Sequence, residues 1–101
     1  MLVIHKTPQA YLDLKHNALY IARDNVDAGL RFFTAAEETF RLLAENPLLG
    51  HSYERKKPPR LRCHPVRGFR NYLVFYETHD DILLIVRCIH GSRDINSEIG
   101  E

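Results

Sequence analysis

Tryptophan is absent from this 101-residue chain, methionine occurs once and cysteine twice. The cysteines form no CxxC or CxxH pair, and the six histidines are scattered at positions 5, 16, 51, 64, 79 and 90, so no zinc-type spacing is present and no metal is expected. Cys63 and Cys88 lie in apolar, strand-like stretches and are expected to be free thiols acting as small hydrophobes. No apolar run approaches the roughly 18 residues that would span a bilayer. The opening residues Met1 to Lys6 are too short an apolar stretch for a signal peptide, and a cytoplasmic protein is expected. There is no GxSxG elbow, glycine-rich phosphate loop, HExxH helix or pair of carboxylates on one helix face. These absences argue against serine hydrolases, P-loop enzymes and zinc proteases, and no cofactor is expected. Cys63 and His64 are neighbours on a strand, so their side chains diverge and cannot act as a nucleophile–base pair.

A chain of this length forms one domain, residues 1–101, with an ordinary globular composition of 45% hydrophobic and 27% charged residues. The net charge of +1 hides an uneven distribution. Residues 51–70 hold seven of the fourteen Lys/Arg (Arg55, Lys56, Lys57, Arg60, Arg62, Arg67, Arg70) and only one acid, Glu54. A basic segment on an otherwise acidic chain suits a phosphate or an acidic partner, although a solvated basic loop gives the same pattern.

Periodicity supplies the elements. A first strand is expected over 2–6. Thr7-Pro8 is a helix start, with a capping hydroxyl followed by a proline that forfeits no hydrogen bond. Tyr11, Leu14, Ala18, Ile21 and Ala22 then recur at helical steps as one apolar stripe. Asp24-Asn25 separates this helix from a second, whose expected inner face is Leu30, Phe33, Ala36, Phe40 and Leu43, and which ends at Asn46-Pro47. Residues 47–60 read as a loop, broken by Gly50, Pro58 and Pro59. Three strands are expected at 61–66, 70–77 and 82–90, the last two joined by the polar turn Thr78 to Asp81. The order β-α-α-β-β-β predicts an α+β domain with a helical hairpin on one face of a mainly antiparallel sheet.

Strict alternation in the last strand sets Leu84, Val86 and Cys88 against Leu83, Ile85, Arg87 and Ile89. The hairpin covers only one face, so Arg87 is expected on the other, with Arg62 directed to the same side. Together with Arg70 and the Arg55-Lys56-Lys57 loop, they would form a cationic groove for a phosphate backbone. The alternative at Arg87 is an ion pair with Glu77 or Asp94 that closes the sheet. His90, ahead of the exit Gly91-Ser92-Arg93-Asp94, is the best-placed proton-transfer group, since imidazole titrates near neutrality. A lone strand-end histidine is also commonly structural. Ser92 or Asp94 is a candidate cap for a short C-terminal turn. Phe32 and Leu42 fall off the inner stripe and are candidate partner contacts, with a wider core face as the alternative.

The run Leu61-Arg62-Cys63-His64-Pro65-Val66-Arg67-Gly68-Phe69-Arg70-Asn71-Tyr72-Leu73-Val74-Phe75-Tyr76, followed by Ile85-Val86-Arg87-Cys88-Ile89-His90-Gly91-Ser92-Arg93-Asp94, resembles the RelE/ParE toxins, often labelled plasmid-stabilisation proteins. Ile21 to Asn25 and Asn46-Pro47 with Gly50 also fit, so the likeness covers nearly the whole chain. It implies the same strand and helix order, neutralisation by a small antitoxin, and a growth-essential target. That target is DNA gyrase for ParE-like members, which bind rather than cleave, or mRNA in the ribosome for RelE-like members, which are metal-independent endoribonucleases. For the ribonuclease reading, Arg62 and Arg87 match basic sheet positions, Lys56 and Lys57 match loop lysines, and His90 would move a proton. No tyrosine follows Tyr76, however, and a late tyrosine is frequent in RelE-like enzymes. The His90 to Asp94 ending is closer to ParE-type sequences, making Arg70, Arg93 and Asp94, with the loop lysines, candidate target contacts. A detoxified subunit that serves only in a repressor complex is the third possibility.

Overall fold

The computed structural model describes residues 1–53 and 60–99. Its elements are β1 (Val3–Lys6), α1 (Pro8–Ala22), α2 (Val26–Glu45), β2 (His51–Tyr53), β3 (Leu61–Val66), β4 (Phe69–His79), β5 (Ile82–His90) and α3 (Ile95–Glu98). The sheet order is β1-β5-β4-β3-β2, antiparallel except for the parallel β1–β5 pair. This is the expected α+β architecture, with α1 and α2 as a hairpin on one face. The short edge strand β2 is an addition to the expected order, and α3 is the short C-terminal turn expected behind Ser92 or Asp94.

The helix signals act as expected. The Thr7 hydroxyl accepts the Ala10 N–H at 3.0 Å with Pro8 opening α1, and the Asn25 side chain accepts the Ala28 N–H at 3.0 Å to start α2. Gly29 sits at the helix crossing, where an added Cβ would lie 2.7 Å from the Ala18 carbonyl, so only glycine allows this approach. In the β3–β4 turn Gly68 has φ +83, the left-handed region that glycine occupies without penalty.

Two of the expected apolar stripes are corrected. In α2 the inner face is Phe32, Ala36, Phe40 and Leu43, while Leu30 (63% exposed) and Phe33 (41%) face outward. Both frames share the last three positions and differ only in the first turns. Phe32 wins because it meets Phe69 and Tyr72 edge-on, at centroid distances of 5.3 and 5.0 Å. In α1, Leu14 and Ala18 are buried as expected, but Tyr11 is exposed and lies under the Lys6 ammonium.

The inner face of α1 instead carries two buried polar residues, Asp13 and Asn17. β1 pairs with β5 only as far as Ile85, which leaves the remainder of that β5 edge without a strand partner. Side chains of α1 and its cap fill the role. The Thr7 hydroxyl donates to the Val86 carbonyl (2.7 Å), Asp13 accepts the Cys88 N–H (3.0 Å), and Asn17 donates to the Cys88 carbonyl (2.8 Å). Buried backbone groups must be paired, and here a helix completes a strand's hydrogen bonding.

A bulge also corrects the strict alternation along β5. Tyr76 pairs with Ile85 but Phe75 pairs with Arg87, so Val86 is the extra residue. Leu83, Ile85 and Cys88 therefore join the helix-side core, and Ile89 joins a second cluster on the reverse face. That reverse face is apolar, built on Leu61, Cys63, Phe75 and Ile89 and covered by Ile95 and Ile99 around α3. The expected bare, cationic reverse face is thus replaced by a second small core.

Candidate functional site

Among the described residues the expected cationic groove is not assembled. Arg87 shares the face of its cross-strand partner Phe75, as expected, but is buried at the margin where α1 and α3 meet. Its Nε and one terminal nitrogen form a two-pronged bond to the Asp13 carboxylate at 2.7 and 2.9 Å. The guanidinium also reaches the Glu98 carbonyl at 2.5 Å and the Glu98 carboxylate at 2.9 Å. The Asp13 hydrogen bond holds this guanidinium even more firmly charged than usual, against the opposing effect of burial. The partners are Asp13 and Glu98, in place of the expected Glu77 or Asp94.

Arg62 is corrected as well. It sits opposite Tyr76, whose ring belongs to the helix-side core, and donates to the Gly50 carbonyl at 2.6 Å. Leu61 and Cys63 take the reverse face, so strand parity sends Arg62 the other way. The Tyr76 hydroxyl supports the same loop, donating to the Pro47 carbonyl (2.8 Å) and accepting the Gly50 N–H (2.9 Å). Arg70 is exposed near the β3–β4 turn. Asp94 is the cap of α3, accepting from the Ser97 backbone and hydroxyl at 3.4 and 2.8 Å. Lys56 and Lys57 lie outside the described residues. Phe32 is fully buried and so is no surface contact, while Leu42 is half-buried. Cys63 and Cys88 are free, as expected, and burial pushes their thiols up to about 11 and about 12. Among the described residues no group of three or more His, Cys, Asp or Glu is arranged to hold a metal ion, and no helix is long and apolar enough to cross a membrane.

Two of the expected residues do meet, His90 and Arg93, in a cleft of about 390 Å³ with His16, Asn17, Tyr20, Tyr72 and Ser92. The bulge makes this possible. Without the extra residue Val86, the hairpin register would set Tyr72 opposite Ile89; with it, Tyr72 and His90 are direct partners on the helix side. Their rings stand edge to face, 5.0 Å apart at 87°. The Ser92 N–H donates to His90 Nδ1 at 3.0 Å, so Nδ1 is the acceptor and Nε2 the ring's donor. Arg93 is held by Glu98 at 2.7 Å. Burial, and next the Tyr20 phenol, push the Tyr72 phenol upward, so it stays a protonated donor. Sequence reasoning missed His16, Asn17, Tyr20 and Tyr72. The four-residue step from His16 to Tyr20 was the only available signal, since the bulge that brings Tyr72 to His90 has no sequence mark.

The same fold occurs in a solved structure of the "Chromosomal ParDE TA system from P. aeruginosa", at TM-score 0.71 and 15% identity over 89% of this chain and 96% of that one. No curated protein matches in sequence. The family profile described as "ParE toxin of type II toxin-antitoxin system, parDE" matches residues 4–95. With nine-tenths of its length inside that match, and the same layered fold beneath it, this chain belongs to the ParE toxin family.

Proposed function

We propose that this protein is the toxin of a type II toxin–antitoxin pair, that it acts in the cytoplasm by poisoning DNA gyrase, and that a cognate antitoxin neutralises it. One observation favours binding over cleavage: both arginines of the ribonuclease reading are engaged by the protein itself. Arg87 is buried between Asp13 and Glu98, and Arg62 donates to Gly50. A guanidinium already bonded to carboxylates would have to surrender those bonds to receive a scissile phosphate. Family membership supports the toxin class, and the gyrase target follows from the ParE rather than the RelE side of the resemblance.

Induced expression of this chain alone is expected to arrest growth, trigger the SOS response and trap gyrase–DNA cleavage complexes, all relieved by the antitoxin. Messages truncated at ribosomal A sites, with no trapped gyrase, would overturn the target. Unimpaired growth would overturn the toxin reading itself.

A further inference from the structure

We propose that the cleft between the second half of α1 and the ends of β4 and β5 binds a phosphate ester of nucleotide type. This goes beyond the gyrase reading: of the candidate target contacts it shares only Arg93, and it is read by a different measurement.

The cleft is lined by donors, and among the described residues no carboxylate lines it. His90 accepts the Ser92 N–H at Nδ1, so its Nε2–H is left as a donor without a protein partner among the described residues. The same is true of the His16 imidazole and the Tyr20 and Tyr72 hydroxyls. Arg93 gives one terminal nitrogen to Glu98 and keeps its other N–H groups. The Asn17 amide N–H is taken by the Cys88 carbonyl. A site with several donors, one of them the permanently charged Arg93, is complementary to an oxyanion. Its volume of about 390 Å³ exceeds that of a lone phosphate and falls within the range of small-ligand sites. Two phenol rings provide apolar surface for the remainder of such a ligand. Tyr72 is held edge-on between Phe32 and His90, so one wall is rigid before anything binds.

Titration of the purified full chain tests this, with inorganic phosphate, adenosine monophosphate, a short single-stranded oligonucleotide and acetate, all at matched ionic strength. Affinity is read by calorimetry, and the site by the imidazole NMR resonances of His16 and His90. Phosphate and the mononucleotide are expected to move both imidazoles, and the mononucleotide to bind more tightly. His16→Ala and Arg93→Ala, both at exposed positions, are each expected to weaken binding about tenfold, the loss of one charge-assisted hydrogen bond. Tyr20→Ala is expected to remove the mononucleotide's advantage over phosphate. If the oligonucleotide binds more tightly than the mononucleotide, the phosphate comes from a strand; the reverse order identifies a free nucleotide. The proposal is overturned if neither imidazole moves, or if acetate reproduces the phosphate shifts. It is likewise overturned if Arg67→Ala, in the β3–β4 turn and outside the cleft lining, weakens binding as much as Arg93→Ala.

Discussion

A guanidinium removed from water needs its N–H groups met, because an unpaired buried charge costs several kcal/mol. Arg87 meets that requirement with two carboxylates and a carbonyl drawn from helices at opposite ends of the chain. Replacing Arg87 with Ala strands Asp13, itself 5% exposed, with the Cys88 N–H and a long bond from the Gln9 amide but no positive charge beside it. The expected loss is about 3–5 kcal/mol in urea unfolding. Arg87→Lys should recover little, since one ammonium cannot span both partners as a planar fork does. A loss under about 1 kcal/mol, the range of a surface pair, would show that the network is not structural. The sequence made the presence of a charged residue in a buried strand plain, and even its face. Its partners were hidden, because Asp13 is a single acid within an apolar helix stripe and Glu98 belongs to an element with no periodicity of its own.

Among the elements, β2 alone left no mark in the sequence, and α3 was legible only through its cap. Caps, stripe and proline located α1 and α2, and β-branched runs located β3 to β5 within three residues. β2 has three residues and α3 four, too few for either period to register. The frame of α2 was read one position off in its first turns, where Leu30, Phe32 and Phe33 are all apolar and only packing decides. The candidate site was half legible: His90 and Arg93 stood out, while the residues facing them depend on the bulge. α3 matters beyond its length, because Ile95 and Ile99 cover the reverse-face cluster containing Cys63. Deleting residues 95–101 is expected to lower the melting temperature and to make one thiol per chain, Cys63, reactive toward a disulfide reagent. Cys88, under α1 on the other face, should remain protected. Equal reactivity of both thiols would mean general loosening and would remove α3 from its covering role.

The whole molecule leaves apolar side chains on the outer surface of the hairpin, with Leu30 and Phe33 on α2 and Leu19 on α1. Large apolar groups left in solvent on one helix, as Leu30 and Phe33 are, can mark a protein partner. On the proposed function that partner is the antitoxin, and Leu30 and Phe33 take the place of buried Phe32. Leu30→Glu or Phe33→Glu is expected to weaken antitoxin binding by tenfold or more, about 1.4 kcal/mol or above, with growth arrest preserved. Co-expression measures this directly: antitoxin should rescue cells making the original toxin but not the variant. Full rescue of both would move the contact elsewhere.

The parallel pairing of Val3 with Ile82 joins the two ends of the sequence. Translation runs at about 5–20 residues per second, so the first strand waits several seconds for the partner that finishes its sheet. Contacts so distant along the chain form late and slowly. Until Ile82 and the strand it opens have been made, the chain can form the helical hairpin but no closed sheet, and neither the cleft nor the Arg87 network exists. Any activity that needs the finished sheet therefore begins later than any contact that needs the hairpin alone.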